Sequence, residues 1–136
     1  MDFISLLKSR NLKATPQRLS VLEVLNKNMH PTMEEIYEDI KREFPSISLA
    51  TVYKNINTLR ESDAIIEINT QNGKTRYDIY VRPHTHIICK KCGSIRDVEF
   101  LESVYEYQEE IKTKWHYNVK RIDVTAIVDN CPLCNL

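Results

Sequence analysis

The segment from residue 84 to residue 92, His-Thr-His-Ile-Ile-Cys-Lys-Lys-Cys, carries two kinds of metal ligand side by side. His84 and His86 are two residues apart, so on a β-strand both imidazoles would leave the same face. Cys89 lies an odd number of residues further along and would point to the opposite face. The spacing therefore predicts that one short strand contributes to two separate sites, one of imidazoles and one of thiolates.

All four cysteines of the chain fall into two C-x-x-C pairs, Cys89 with Cys92 and Cys131 with Cys134. Four thiolates are the usual ligands of tetrahedral structural zinc, and a closed four-sulfur shell leaves no open position for catalysis. Redox-active dithiols and an intramolecular disulfide are the alternatives. Two pairs of identical spacing favour zinc, because cytoplasmic chains rarely keep disulfides.

Other side chains could complete the imidazole site. His30 lies in the loop before the third predicted helix, Asp78 on a predicted strand, and Asp97 on the strand after the first cysteine pair. Imidazole with carboxylate suits Fe(II), Mn(II) or Zn(II). If His30 shares one ion with the two strand histidines, that ion would bridge two domains, and its occupancy would fix their orientation. The alternative is a solvent-exposed histidine pair. We interpret His116 as a solvated residue near a negative helix end.

The composition is that of an ordinary soluble globular chain, with 136 residues, 42% hydrophobic and 28% charged. A formal net charge of +0 gives no support for nucleic-acid binding. The first residues lack a basic region followed by an apolar run, and no apolar stretch is long enough to span a membrane. These features predict a cytoplasmic protein and leave its function open.

The first half of the sequence predicts four helices followed by a β-hairpin. Helices are expected over residues 3–10, from the cap Thr15 with Pro16, from the capping box at Thr32, and from Ser48 to about residue 62. Asn72-Gly73 lies between two alternating apolar runs, residues 64–69 and 74–80, which indicates a hairpin. Three helices followed by a hairpin are the order of a winged helix-turn-helix.

The character of the chain changes after Pro83. Strands are predicted at 85–89 and 94–100, a helix over 101–115, and a strand over 119–128. This part is too short to bury a large core alone, so a metal and a partner chain are both expected to stabilise it. The predicted fold class is α+β: an N-terminal winged helix-turn-helix domain, residues 1–82, followed by a small α/β dimerisation and zinc-binding domain, residues 83–136.

The fourth helix has one apolar and one polar side. The apolar side, expected to pack into the domain, consists of Leu49, Val52, Ile56 and Leu59. The polar side consists of Ala50, Thr51, Tyr53, Lys54, Asn57 and Thr58. A face with donors, acceptors, an aromatic ring and a cation suits a major groove. Lys8, Arg10, Lys13 and Arg18 form a basic cluster that could contact phosphates. A solvated helix face is the alternative.

The motifs together resemble the ferric uptake regulator (Fur) superfamily along essentially the whole chain. They are residues 12–18 (LKATPQR), 30–32 (HPT), 48–55 (SLATVYKN), 76–78 (RYD), 84–92 and the terminal cysteine pair. The resemblance implies a homodimeric winged-helix repressor that binds double-stranded operator DNA. It also implies structural zinc on Cys89, Cys92, Cys131 and Cys134.

Within that family the sequence is most similar to the peroxide-sensing repressors, because aspartate occupies position 97. By resemblance, regulatory Fe(II) or Mn(II) is bound by His30, Asp78, His84, His86 and Asp97. Bound Fe(II) would activate hydrogen peroxide, which oxidises His30 or His84; the weakened ligand set then releases the operator. The resemblance also implies DNA contacts from Lys13, Arg18, Thr51, Tyr53, Lys54 and Asn57. Residues 82–86 (RPHTH) and 119–122 (VKRI) lack histidines that some relatives have, so no third metal site is expected.

Three other functions are compatible with these residues. The first is a regulator that responds to iron or manganese availability without sensing peroxide. The second is a zinc-ribbon metallohydrolase that uses the imidazole site, although no H-E-x-x-H arrangement supplies a general base. The third is a structural scaffold with a vestigial metal site. Operator binding that depends on metal would separate the regulators from the other two.

Overall fold

The computed structural model describes residues 2–70, 73–80, 84–99 and 101–134. The chain divides into two compact units, residues 1–81 and 82–136. Within the described ranges, the first contains four helices and a two-stranded sheet, and the second contains a three-stranded sheet and one helix. The predicted α+β fold class is confirmed.

Each helix of the first unit begins directly after a residue whose side chain caps it. The helices are α1 (Phe3–Ser9), α2 (Pro16–Lys27), α3 (Met33–Glu43) and α4 (Leu49–Glu61). The N-caps are Asp2, Thr15, Thr32 and Ser48, and each accepts a hydrogen bond from the amide three residues later. Such caps satisfy N–H groups that the helix leaves unpaired, so they define where each helix starts.

The hairpin consists of β1 (Ile65–Asn69) and β2 (Thr75–Ile79), which pair antiparallel with Asn69 opposite Thr75. Gly73 has φ of +80°, a left-handed conformation that favours glycine. The predicted turn residue Asn72 lies outside the described residues. A second edge contact extends this sheet, because Thr32 forms a β-bridge with Arg76 of β2.

The hydrophobic core of the first unit is built by all four helices and the hairpin. Val52, Ile56 and Leu59 of α4 are fully buried, as predicted from the helical spacing. The expectation for Leu49 is wrong, since its side chain is 44% exposed. Leu49 is the first residue of α4, and the buried side of the helix begins only one turn later, at Val52.

The second unit contains β3 (His84–Cys89), β4 (Ile95–Glu99), α5 (Glu102–Trp115) and β5 (Val124–Val128). The strand order is β4-β3-β5, with β4 antiparallel and β5 parallel to the central β3. The last strand is shorter than the predicted range 119–128. It pairs with β3 from Val124, which lies opposite Thr85, the second residue of β3.

Helix α5 has no buried side chain among the described residues of this unit. Val104, Gln108 and Ile111 are half-buried along one side of the helix, whereas Trp115 is 49% exposed. Further aromatic side chains of this part of the chain, Tyr105, Tyr107 and Tyr117, are also exposed. Among the described residues, none of the helices has the length and apolar character needed to cross a membrane.

Candidate metal centres

The four cysteines come together in the second unit. Cys89 ends β3, and the tight turn that follows brings Cys92 back, with the Gly93 N–H donating to the Cys89 carbonyl at 2.8 Å. Gly93 has φ of +74°, which glycine adopts without strain. The second pair lies in a similar turn, in which the Cys134 N–H donates to the Cys131 carbonyl at 3.2 Å.

The sulfur atoms have the spacing of a tetrahedral site. The Sγ atoms of Cys89 and Cys134 are 3.6 Å apart, those of Cys92 and Cys131 3.5 Å, and those of Cys131 and Cys134 3.7 Å. Four sulfurs bound to zinc at 2.3 Å would be about 3.8 Å from one another. All four thiols are free, and every separation is longer than a disulfide bond of about 2.05 Å. The donor set therefore fits a tetrahedral zinc ion.

Ser94 is a polar neighbour of this cluster that the sequence analysis did not single out. Its Oγ is 3.1 Å from Cys92 Sγ and 3.6 Å from Cys131 Sγ. A hydroxyl that donates to a thiolate stabilises the ionised form. The Ser94 hydroxyl is accordingly the main cause that lowers the pKa of Cys131 to about 6, and it also lowers the pKa of Cys92.

Cys89 differs from the other thiols. The Cys92 amide N–H lowers the pKa of Cys89, but burial and hydrogen bonds that the Cys89 thiol donates to Cys92 and Cys134 outweigh it and raise the pKa to about 11. The cluster thus combines thiols that ionise readily with one that must be deprotonated by a bound cation. Such a combination is typical of a metal site, in which the cation displaces the remaining protons.

The imidazole pair of the second unit faces an aspartate. His84 Nε2 and His86 Nε2 are 3.0 Å apart. Asp97 Oδ1 is 3.3 Å from His86 Nε2, and Asp97 Oδ2 is 3.9 Å from His84 Nε2. These contacts follow from strand register, because His86 of β3 lies directly opposite Asp97 of β4. Two nitrogen donors and a carboxylate therefore converge at one point.

The first unit holds a smaller group of the same chemistry. His30 is 3% exposed, and its Nε2 is 3.6 Å from Asp78 Oδ2. The other carboxylate oxygen of Asp78 accepts a hydrogen bond from the Ile79 N–H at 2.8 Å, which orients the carboxylate. His30 has φ of +54°, an uncommon conformation for a residue other than glycine. A backbone in this conformation is held there by its surroundings.

Both groups offer donors that suit Fe(II), Mn(II) or Zn(II). The second unit supplies two imidazoles and a carboxylate, and the first unit supplies one of each. The fourth histidine, His116, belongs to neither group. It is exposed and caps the end of α5 with φ of +62°.

Most of the side chains predicted to contact DNA are exposed to solvent. Tyr53, Lys54 and Asn57 of α4 and Lys13 are exposed. Thr51 is half-buried, and its hydroxyl is 2.9 Å from the hydroxyl of the cap Ser48. Residues of α4 thus present an aromatic ring, a cation and an amide at the surface.

Two arginines of the predicted basic cluster make internal contacts. Arg18 Nη1 donates to the Lys13 carbonyl at 3.0 Å. Arg10 Nε donates to the Asp63 carbonyl and Arg10 Nη2 to the Tyr80 carbonyl, both at 3.3 Å. Arg10 therefore joins α1 to the turn after α4 and to the end of the hairpin, a structural contact that sequence reasoning did not anticipate.

A winged-helix domain joined to a small α/β unit with thiolate and imidazole–carboxylate clusters defines a metal-dependent regulator. The chain belongs to the ferric uptake regulator family, whose model matches residues 9–127. Members of this family are transcription regulators and not enzymes. The metallohydrolase alternative is therefore set aside.

Known proteins similar to this chain include peroxide regulators. The Bacillus subtilis peroxide operon regulator is 32% identical over 133 residues, covering 96% of this chain and 91% of the relative. The crystal structure of the Campylobacter jejuni peroxide stress regulator has a TM-score of 0.80 and 51% identity, covering 98% of this chain and all of that one. The Helicobacter pylori ferric uptake regulator, described with three functional metal-binding sites, has a TM-score of 0.71 and 28% identity, covering 98% and 89%.

Proposed function

We propose that this chain is a metal-dependent, DNA-binding transcriptional repressor that senses hydrogen peroxide through oxidation of a ligand histidine. The observation that carries the proposal is the convergence of Asp97 on His84 and His86, because this imidazole–carboxylate group can hold a redox-active ion. The resemblance to regulators named for peroxide supports the choice of signal. The protein would act in the cytoplasm, where its DNA lies.

The four cysteines bind structural zinc in this proposal. Tetrahedral spacing of Cys89, Cys92, Cys131 and Cys134 supports it, as does the small size of the second unit. Zinc would hold the C-terminal turn against the end of β3 and stabilise the sheet that carries the histidines. The zinc site is thus structural and takes no part in sensing.

The regulatory ion is Fe(II) or Mn(II), and five side chains bind it. His30 and Asp78 come from the first unit, and His84, His86 and Asp97 from the second. One ion shared by both groups would fix the orientation of one unit relative to the other. Metal binding would then favour the arrangement that fits the operator, since a ligand shifts an equilibrium only through its differential affinity for the two states.

Peroxide breaks this arrangement by changing a ligand. Bound Fe(II) would reduce hydrogen peroxide by one electron. Mn(II) is a poor one-electron reductant of peroxide. In the net reaction a ring C–H of His30 or His84 and one hydrogen peroxide give a ring carbon bearing oxygen and one water. The oxidised ring is a poorer donor than imidazole. The two units are then no longer joined through the ion, and the repressor releases the DNA.

Operator DNA is contacted by the polar face of α4 in this proposal. Tyr53, Lys54 and Asn57 are exposed on α4, and Lys13 is exposed ahead of α2. Arg18 and Thr51 make local contacts but remain partly exposed, and we assign them supporting contacts to phosphates. Two copies of the reading helix would bind the two half-sites of a double-stranded operator.

The second unit forms the homodimer. Its exposed large side chains include Tyr105, Tyr107, Trp115 and Ile127, and exposed apolar surface of this kind is typical of interaction sites. A second copy would cover them, and symmetric dimers are the commonest soluble assemblies. Light scattering should give the mass of two chains for the zinc-loaded protein and of one chain for Trp115→Glu.

The proposal is tested by operator binding with defined metals. A gel shift should need Mn(II) or Fe(II), and hydrogen peroxide should abolish the shift only with Fe(II). An equal response to peroxide with Mn(II) would refute the mechanism. Metal-dependent binding that peroxide never affects would instead support a sensor of iron or manganese availability, and binding that ignores chelators would indicate a scaffold with a vestigial site.

A further inference from the structure

The loop that carries His30 is fastened to strand β2 by its backbone. The Tyr77 N–H donates to the Pro31 carbonyl at 3.0 Å, and Thr32 forms an antiparallel β-bridge with Arg76. Residues 30–32 therefore lie along the edge of β2 that does not pair with β1. This attachment fixes where the loop runs, but the backbone contacts of residues 31 and 32 do not by themselves fix the conformation of His30.

Arg76 supplies the contact to His30 itself. Its Nη1 donates to the His30 carbonyl at 2.9 Å, and the same atom is 3.6 Å from Glu35 Oε1. A guanidinium presents donors in a rigid planar fork, so it can hold two acceptors at a defined angle. The carbonyl it holds belongs to a residue with φ of +54°, a conformation that requires external support.

Arg76 and Asp78 alternate along β2 and lie on the same face of the strand, away from the buried Tyr77 and Ile79. From that face Arg76 contacts the backbone of His30, and Asp78 approaches its ring with Oδ2 3.6 Å from Nε2. Strand β2 thus contacts His30 at two points, its backbone carbonyl and its imidazole ring. The hydrogen bond from Arg76 orients the backbone of His30, and this orientation places the imidazole beside Asp78.

Glu35 connects the Arg76–His30 contact to α3. The Glu35 N–H donates to Thr32 Oγ1 at 3.3 Å, and Thr32 Oγ1 donates to Glu35 Oε1 at 3.1 Å, a capping box at the start of the helix. Glu35 is 58% exposed, so its ion pair with Arg76 is weak, and the part-buried hydrogen bond to the His30 carbonyl is the stronger contact. The same arginine therefore touches the ligand loop and the first turn of α3.

We propose that Arg76 is a positioning residue for the regulatory metal, which holds the backbone of His30 so that its imidazole faces the ion beside Asp78. The role rests on the proposed function, because it presupposes that His30 binds the ion. Arg76 contacts neither the metal nor DNA in this account. It acts through His30 alone and links the position of that ligand to α3.

The test compares Arg76→Ala, Arg76→Lys and Arg42→Ala in full-length, zinc-loaded protein. Arg42 is a matched control, since it is an exposed arginine of the same unit that pairs with Asp39 at 3.3 Å. Mn(II) affinity is measured by titration with electron paramagnetic resonance. Arg76→Ala should bind Mn(II) about 10- to 100-fold more weakly than wild type. Arg76→Lys should recover part of the loss, because Nζ can donate to a carbonyl, and Arg42→Ala should match wild type.

A double-mutant cycle separates positioning from general destabilisation. In a His30→Ala background, Arg76→Ala should cause no further loss of Mn(II) affinity, because the ring through which it acts is gone. Hydrogen exchange in Mn(II)-free protein gives a second readout. Amides of residues 28–30 and of Thr32 should exchange faster in Arg76→Ala than in Arg42→Ala, while those of α2 should not change.

Two outcomes are distinguishable. If the wild type binds Mn(II) and Arg76→Ala binds it equally well, or loses affinity equally with and without His30, the role of Arg76 is overturned and the proposed function stands. If the wild type binds no Mn(II) beyond zinc loading, the proposed function fails, and the role of Arg76 fails with it. Should Arg76→Ala not fold, the comparison of Arg76→Lys with wild type decides the same question.

Discussion

His86 and Asp97 lie directly opposite each other on β3 and β4, with His86 Nε2 3.3 Å from Asp97 Oδ1. The same carboxylate reaches His84 through its other oxygen. Because a cross-strand pair is fixed by register, the carboxylate position depends on the length of the side chain at 97. In the proposed regulatory site, Asp97 would therefore determine how an ion is held between the two imidazoles.

Asp97→Glu is predicted to slow peroxide-dependent histidine oxidation about 10- to 100-fold, because one more methylene displaces the carboxylate and small misplacements have large effects on rate. Operator binding with Mn(II) should persist, since a carboxylate remains. The rate is measured as oxygen incorporation by mass spectrometry. Asp123→Glu, an exposed aspartate paired with Arg121, is the control. Unchanged oxidation in Asp97→Glu would show that the residue does not select the signal.

The thiols are predicted to differ in reactivity in reduced, zinc-free protein. The pKa of Cys131 is lowered to about 6, mainly by the Ser94 hydroxyl, and that of Cys89 is raised to about 11. At pH 7, iodoacetamide should therefore modify Cys131 well before Cys89. Ser94→Ala should slow modification of Cys131, and Ser103→Ala should not. Faster labelling of Cys89, mapped by mass spectrometry, would contradict the assignment.

The same shift predicts a pH dependence of stability. Folding lowers the pKa of Cys131 from 9.0 to about 6, so the thiolate contributes its full stabilisation above pH 9. That contribution is lost as the pH falls from 9 towards 6. Thermal unfolding of the zinc-free protein should therefore show a smaller loss in Ser94→Ala over this interval. An identical pH profile in the variant would exclude the hydroxyl as the cause.

Lys54→Ala is predicted to weaken operator binding and to reduce the slope of log affinity against log salt by about 1, the effect of losing one phosphate contact. Lys54 is exposed on the polar face of α4. Lys41→Ala is the matched control, because Lys41 is an exposed lysine of α3 that lies over the Tyr37 ring. Equal salt slopes for both variants would remove Lys54 from the interface.

Arg10→Ala is predicted to affect stability and not operator recognition. The substitution removes hydrogen bonds to the Asp63 and Tyr80 carbonyls, and hydrogen bonds from a charged donor contribute about 1.5–3 kcal/mol each, less where water reaches them. We expect unfolding to become easier by about 1–3 kcal/mol in denaturant titrations. Lys8→Ala, an exposed neighbour, should have little effect. A loss of DNA affinity at unchanged stability would instead return Arg10 to the phosphate-contacting cluster.

Local signals were sufficient to predict most of the elements. The caps Thr15, Thr32 and Ser48 mark helix starts because the capping bond spans only three residues. A turn of fixed length brings each C-x-x-C pair together, and the preference of zinc for four thiolates predicted that the two pairs meet. The exposure of Leu49 and the late start of β5 at Val124 were missed, because both depend on where neighbouring elements end.

Contacts that no motif marks could not be predicted between distant residues. Nothing near Arg76 in the sequence indicates that it holds the His30 carbonyl, 46 residues away along the chain. The left-handed backbone conformation of His30 could not be predicted either, because neither His30 nor its neighbours Met29 and Pro31 is a glycine, the residue that usually marks this conformation. The sequence predicts Asp97 as a ligand beside the strand histidines, but its direct pairing with His86 depends on register across a turn, which a shift of one residue would have destroyed.

The central claim is that Fe(II) and hydrogen peroxide oxidise a ligand histidine, and peptide mapping by mass spectrometry tests it most directly. Met29 adjoins His30 and is 71% exposed, so it could gain an oxygen by itself; the experiment therefore uses Met29→Leu protein. We expect one oxygen on His30 or His84 with Fe(II), none with Mn(II), and release of operator DNA in proportion to the oxidised fraction. Release of DNA by peroxide with both imidazoles unmodified would contradict the account.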